Sequence, residues 1–238
     1  MTLGIVVGAT GGIGGACAKA LAGSVTRMVV TGRDQAKLAA VAGEVGGNVT
    51  PVIADIATDA GRAAILQQVE GEELRWLVIA SGAPLRGALD ELDPAAIADT
   101  FQSNLVGPAL LLRAVAEARW SNPASVAIIG SISATRAIAK RSVYAASKAG
   151  LERLAMSLGA EWAPRGIRVT VVAPGIIATP FLGTDQSRLD EWVKERVPSR
   201  RTGTPAEVAD VVRYVVLDAP DYLIGARIAV DGGMEATA

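Results

Sequence analysis

The sequence predicts an α/β fold: a doubly wound parallel sheet of about seven strands with helices on both faces. Three observations carry this expectation. Short β-branched apolar runs alternate with Ala-rich stretches of helical period along all 238 residues. The strand runs are apolar almost throughout, as expected for strands buried on both faces. No linker, low-complexity segment or internal repeat breaks the rhythm, so residues 1–238 read as a single domain, long enough for a sizeable core.

The elements follow in order. Strands are expected at 3–7, 26–31, 48–53, 74–80, 125–130, 167–173 and 227–230. Helices are expected at 12–22, 34–44, 58–70, 94–119, 142–163 and 205–218. Two stretches depart from the alternation. One is the loop 81–93, which contains Gly82, Pro84 and Gly87; the other is 175–204, which reads as irregular and charged. Both follow carboxyl ends of strands, where open α/β sheets build their ligand sites. They are expected to wall the substrate site, with 178–204 as a lid.

Composition removes whole mechanisms. The chain has no histidine and one cysteine, Cys17. Catalytic systems that rest on imidazole are therefore excluded, and no thiolate cage for a metal can form. No intrachain disulfide is possible, which fits a reducing compartment. Lys plus Arg is 23 against 24 for Asp plus Glu, so the net charge of −1 offers no field for nucleic acid. No apolar run reaches the ~18 residues of a membrane span, and residues 1–7 carry no basic stretch ahead of their apolar run. Neither a metal nor a membrane is expected, and the cytoplasm is the expected location.

The first strand runs into Gly8-Ala9-Thr10-Gly11-Gly12-Ile13-Gly14-Gly15, and a helix follows. Glycines let the backbone turn sharply and let a pyrophosphate approach; the helix N-terminus offers free N–H groups and a positive dipole end. A bare glycine-rich turn without ligand is the alternative. The second strand ends in Thr31-Gly32-Arg33-Asp34. An acid there would bind the ribose 2′-hydroxyl of NAD, whereas an arginine accommodates the 2′-phosphate of NADP. With Gly32 in the acid position and Arg33 next, NADP is favoured and NAD stays possible. The alternative is an exposed Arg33 beside an Asp34 that caps the next helix.

Tyr144 and Lys148 stand four apart on an expected helix, hence on one face. A free phenol titrates near 10, and a nearby ammonium lowers that value, so the pair could move a proton near neutrality. An ordinary amphipathic surface pair is the alternative. Ser131 lies at the end of the fifth strand, where its hydroxyl could hold a carbonyl. Asn104 sits inside an expected helix, where Asn is unfavourable. Either it marks a local kink, or its amide holds a water near Lys148.

These residues together resemble the short-chain dehydrogenase/reductase family over essentially the whole chain. The resemblance rests on Gly8-x-x-x-Gly12-x-Gly14, Asp55, Asn104, Ser131, Tyr144-x-x-x-Lys148, Pro174-Gly175 and Thr179. The tail 201–209 and 224–233 is similar to the branch that includes 3-oxoacyl-carrier-protein reductases. The resemblance implies a Rossmann-type fold and hydride transfer between NADP(H) and a carbonyl or secondary alcohol. Tyr144 would be the acid/base, and Lys148 would bind the nicotinamide ribose and depress the Tyr144 pKa. Ser131 would polarise the substrate oxygen, and Asn104 would hold a relay water. Gly8, Thr10, Gly12, Ile13 and Gly14 would line the pyrophosphate turn, and Pro174-Gly175, at the end of the sixth strand, would also bind the cofactor. Asp55 and Ile56 would contact the adenine, and Ile177 and Thr179 the carboxamide or phosphates. The resemblance also implies a homodimer or homotetramer built through 94–119, 142–163 and the C-terminal segment.

Three departures from the family pattern stand out. Val7 replaces a common Thr, Gly11 stands where many NADP-dependent members carry a base, and Ile79-Ala80-Ser81-Gly82 replaces Asn-Asn-Ala-Gly. Ser81 would then supply a hydroxyl, with Gly82 also at the cofactor. Arg136, Lys140, Arg141, Lys194, Arg196, Arg200 and Arg201 fall in segments expected near the mouth, where they could steer an anionic substrate or remain solvated charges. Trp192 and Phe181 would pack on an apolar substrate or dock the lid. A catalytically silent nucleotide-binding sensor on the same scaffold is the competing functional reading.

Overall fold

The computed structural model describes residues 1–182 and 186–237. Seven strands form a single parallel sheet: β1 (Thr2–Val7), β2 (Arg27–Gly32), β3 (Val49–Ile53), β4 (Glu73–Ile79), β5 (Trp120–Ile129), β6 (Ile167–Pro174) and β7 (Arg227–Val230). Their order is β3-β2-β1-β4-β5-β6-β7. Successive parallel strands need crossovers, and the chain supplies helices for them. After β3 it returns past β1 to place β4 on the other side, which makes the β1/β4 junction the topological switch point. The carboxyl ends are in register there, with Val7 opposite both Thr31 and Ile79.

Alternate side chains of each strand feed two cores. On one face, Leu3, Ile5 and Val7 pack with Leu77, Ile79, Val126 and Val169 under α3 (Asp59–Val69), α5 (Gly107–Val115) and α6 (Ser142–Trp162). On the other, Val6, Val30, Trp76, Val78 and Val172 pack under α1 (Gly12–Ala20), α2 (Gln35–Val45) and α8 (Pro205–Arg213). Cys17 lies in this second core with no exposure, and burial pushes its thiol up to about 12, so it stays an inert thiol. Helix starts follow side-chain chemistry. Asp34 accepts from the Lys37 N–H at 3.0 Å, and Thr204 and Glu207 form a reciprocal capping box at α8.

Two expectations needed correction. The helix expected over 94–119 is two helices, α4 (Pro94–Phe101) and α5, joined by a π-helical turn over Gln102–Val106, and β5 begins already at Trp120. Asn104 sits in that wide turn, which interrupts the α-helical hydrogen-bond pattern. The stretch 175–204 is not irregular throughout. It contains α7 (Gln186–Arg196), whose Val193 and Trp192 pack with Ile132, Val197 and Met234 in a small separate cluster. The Phe181 side chain falls outside the described residues; Trp192 packs in the docking cluster.

Candidate active site

The polar residues converge where β5 ends and α6 begins. Tyr144 and Lys148 lie one turn apart on the buried face of α6, 6% and 3% exposed. This helix face packs on the sheet because Val143, Leu151 and Ala155 share it. Lys148 Nζ donates to the Ile129 carbonyl at 2.9 Å. Its enclosure pushes its pKa down to about 8, against the opposing pull of Glu152.

Ser131 follows β5 in extended backbone and is joined to Tyr144 by a side-chain hydrogen bond. The Tyr144 phenol is not depressed as the sequence suggested. Burial raises its pKa above the ordinary value of 10; the Ser131 bond and the Arg141 cation pull the other way, and Glu152 adds to the rise. Desolvation of the phenolate therefore outweighs the Ser131 bond and the Arg141 cation, and Tyr144 is a neutral acid at pH 7.

Asn104 has no exposure and anchors three groups. Its Oδ1 accepts from Ala83 N–H at 2.7 Å; its Nδ2 donates to the Ala83 carbonyl at 3.0 Å and to Ser147 Oγ at 3.1 Å. Ser147 in turn donates to the Tyr144 carbonyl at 2.7 Å. The amide thus clamps the loop after β4 to α6, with both of its N–H donors engaged and one acceptor site of Oδ1 filled. A Cβ on Gly82 would lie 3.3 Å from both Asn104 Oδ1 and Lys148 Nζ, so this glycine brings the loop against both.

A cradle for a dinucleotide adjoins these groups at the switch point. Gly8 has φ +83°, and a Cβ there would lie 2.7 Å from the Ser81 backbone N. A Cβ on Gly14 would sit 2.2 Å from the Gly8 carbonyl, and one on Gly12 would meet Thr179 Cγ2 at 2.7 Å. Only glycine keeps this turn close to β4 on one side and to the segment after β6 on the other. Thr179 Oγ1 donates to the Ile177 carbonyl at 3.3 Å, and Ile177 is buried beside Gly203. Gly175 packs against the Asp231 backbone just past β7. Ser81 Oγ and Thr31 Oγ1 are buried without a hydrogen-bond partner. A cradle closed to side chains and bordered by unspent hydroxyls fits a nicotinamide dinucleotide.

At the end of β2 a Cβ on Gly32 would run into Thr10 Oγ1 at 2.8 Å and Cγ2 at 2.5 Å, so Thr10 takes the space of the missing acid. Arg33 is 75% exposed and stands 3.7 Å from Asp55, beside a depression lined by Ile53, Ala54, Thr58 and Gly61. Asp55 Oδ1 accepts from Ala57 N–H at 2.9 Å. The Ile56 side chain is buried in the core, so contact with an adenine falls to its backbone and to Asp55.

Three of the seven steering cations are committed. Arg201 pairs with Glu207, Arg136 donates to the Met234 carbonyl, and Arg196 lies over the Trp192 ring. Lys140, Lys194 and Arg200 are exposed. Arg141 differs. It is half-buried over the Tyr144 ring at 5.6 Å, and its pKa is lowered by burial and by Arg86. Sequence reasoning missed Glu152, Arg227 and Ser147, which hold this site from behind. The available signal was spacing: Glu152 continues the Tyr144–Lys148 face by one more turn.

Comparison with known proteins places the chain. A family model described as enoyl-(acyl carrier protein) reductase matches residues 8–235. The mouse 3-oxoacyl-[acyl-carrier-protein] reductase is 31% identical over 236 residues, covering 98% of this chain and 97% of its own. The L-tagatose-forming galactitol 2-dehydrogenase of Cereibacter sphaeroides is 34% identical over 239 residues, covering 96% and 92%. A protein assigned as an NAD(P)-dependent gluconate 5-dehydrogenase from Beutenbergia cavernae, solved with NADP at low occupancy, superposes with a TM-score of 0.89 at 29% identity, covering 99% and 97%. The fold, the glycine cradle and these relatives agree: the chain belongs to the short-chain dehydrogenase/reductase family, in the branch of the 3-oxoacyl-carrier-protein reductases, and is an NAD(P)-dependent oxidoreductase.

Proposed function

We propose that this enzyme reduces a carbonyl compound with NADPH, or runs the reverse oxidation of a secondary alcohol, with Tyr144 as the acid/base. The observation that carries this reading is the convergence of Ser131, Tyr144 and Lys148 on one end of β5, beside the glycine cradle. When bound, the nicotinamide supplies or takes up the hydride. Ser131 orients the substrate oxygen by hydrogen bonding. Tyr144, neutral at pH 7, gives that oxygen a proton as negative charge develops on it. Lys148, cationic at neutral pH, stabilises the phenolate left behind and holds the ribose. Asn104 braces the loop and helix on which the geometry depends. A silent sensor would need no such proton-bearing set.

Gly8, Gly12 and Gly14, with Thr10, Ile13, Ser81, Gly82, Pro174, Gly175, Ile177 and Thr179, would hold the cofactor along the carboxyl ends of β1, β4 and β6. The side-chain-free position 32 and the exposed cation of Arg33, only loosely paired with Asp55, favour NADP over NAD. We read 178–204 as the lid of one domain spanning 1–238; residues 183–185 and 238 of these ranges lie outside the described residues. Tyr222, 98% exposed beside the edge strand β7, and the exposed Val106 support a homo-oligomer, a dimer or a tetramer. Among the described residues no helix is long and apolar enough to cross a membrane, and we assign the enzyme to the cytoplasm.

The substrate is read as an acidic carbonyl compound. Gly87 N–H donates to the Lys140 carbonyl at 3.0 Å, which brings Arg86 near enough to Arg141 to lower its pKa, while Arg141 lies over the Tyr144 ring. Neither has an acidic partner among the described residues. A substrate anion would relieve the mutual repulsion.

The test is a panel of neutral and acidic ketones with NADPH and NADH, followed by absorbance of the reduced cofactor. Tyr144→Phe should keep NADPH binding and lose turnover, and undiminished turnover would refute the mechanism. Arg141→Gln should raise KM for acidic ketones only, and an equal effect on neutral ones removes the substrate reading.

A further inference from the structure

The end of β5 is gripped from two successive turns of α6. Lys148 holds the Ile129 carbonyl at 2.9 Å. One turn on, Glu152 Oε1 accepts from the Ser131 N–H at 2.9 Å. Gly130 lies between them, and its missing side chain makes the grip possible. A Cβ there would stand 2.1 Å from Glu152 Oε1.

Glu152 is only 4% exposed, so its charge must be met. Its Oε2 receives Arg227 Nε at 2.7 Å. Arg227 gives both terminal nitrogens to Glu235 at 2.6 Å, and one of them also reaches the Ser131 carbonyl at 3.4 Å. Both backbone polar groups of Ser131 are thus held by one ion-pair chain that runs from α6 through β7 into the C-terminal turn. Thr135 and Arg136 close the chain on the far side, bonding Glu235 and the Met234 carbonyl. The chain therefore also anchors Met234, on which α7 packs.

We propose that Glu152, held by Arg227, is a positioning residue of the active site: it fixes Ser131 by its backbone and sets a counter-charge one turn from Lys148. The proposal rests on the reductase reading for its kinetic consequence. Burial opposes the Lys148 cation and Glu152 supports it. The other charged or titratable groups here are Tyr144 on the same helix, Arg227 and Glu235 behind Glu152, Arg136 beyond Glu235, and Arg141 over Tyr144. Arg227 partly neutralises Glu152. Removing the two partners therefore acts on Lys148 in opposite directions.

The experiment measures kcat against pH for the wild type, Glu152→Gln and Arg227→Met, with cofactor binding and thermal melting alongside. Turnover falls at alkaline pH as Lys148 loses its proton. Glu152→Gln should move that fall to lower pH by about one unit, on the order of the change expected when an opposite charge is removed nearby. Arg227→Met should move it to higher pH, because Glu152 then acts unopposed. A merely structural pair would lower kcat in both variants and move neither limb. Unmoved limbs, or limbs moved in the same direction, overturn the proposal.

Urea midpoints supply a readout without turnover. The stability deficit of Glu152→Gln should be larger at neutral pH than at alkaline pH, where Lys148 is uncharged in both proteins. A deficit independent of pH overturns the proposal even if no substrate is found. A wild type inactive on every ketone, with the pH-dependent deficit present, overturns only the reductase reading. If Glu152→Gln does not fold, the upward shift in Arg227→Met decides.

Discussion

Replacing Arg33 with alanine separates the two cofactors. The Arg33 side chain is 75% exposed, and its neighbour Asp55 is 3.7 Å away and 37% exposed. Such a pair contributes about 0–1 kcal/mol, so the variant should fold with nearly unchanged stability. A 2′-phosphate beside the guanidinium is a different matter, because it carries more charge and accepts directed hydrogen bonds. Two unit charges at about 4 Å interact by about 1 kcal/mol in bulk water and about 4 kcal/mol near a protein surface. Exposure of 75% and competition from Asp55 place the effect toward the lower end. The expected loss is about 1–2 kcal/mol, or roughly 5–30-fold in Kd for NADPH. NADH lacks the phosphate, and its Kd should change less than about twofold. Fluorescence titration of both reduced cofactors, at low and at physiological salt, measures this directly. The NADPH penalty should shrink as salt rises. Equal losses for the two cofactors, or none for either, would refute the assignment of Arg33 to the phosphate. Installing an acid at position 32 should not by itself create an NADH preference, because its Cβ collides with Thr10.

Three further outcomes follow from the packing. Asn104→Ala leaves the Ala83 N–H and carbonyl unpaired in a partly buried site, and should cost about 1–3 kcal/mol by urea denaturation; a loss below about 0.5 kcal/mol contradicts the clamp. In the glycine turn, Gly11→Ala should be near neutral, since its Cβ would stand 3.4 Å from the Gly8 carbonyl. Gly14→Ala, at 2.2 Å, should lower both Tm and NADPH affinity, and equal tolerance of the two would mean the turn is not tightly held. Lys148 titrates near 8 when folded and near 10.4 when unfolded. Below pH 8 both states are charged and the burial cost is fully present. Between about 8 and 10.4 the folded state binds fewer protons, so this group makes stability rise with pH by up to about 3 kcal/mol. Lys148→Met removes that rise, and parallel urea profiles for the two proteins over this range would sink the prediction.

Much of the fold was legible because its signals are local. Apolar β-branched runs, helical periods and the glycine turn each follow from neighbouring residues, and β1, β2, β6 and α8 begin or end within a few residues of where the pattern puts them. The Tyr144–Lys148 face was legible for the same reason. The helix broken at 102–106 was not, since a π-helical turn is fixed by what Asn104 clamps across 21 residues of sequence. Helix α7 was hidden by its charge; among its described side chains Val193 and Trp192 dock.

The sequence by itself determined the architecture, the position of the nucleotide turn and the set of polar residues available without histidine. Only the tertiary structure decided their electrostatic state. Burial, not proximity to Lys148, governs the Tyr144 phenol, and enclosure lowers Lys148 itself. Desolvation depends on every element packed around a group, so spacing along the chain cannot report it. The same holds for the chain from Ser131 through Glu152 and Arg227 to Glu235. Directly bonded members are separated by up to 96 residues along the chain, and they meet only because β5, α6 and β7 fold onto one another.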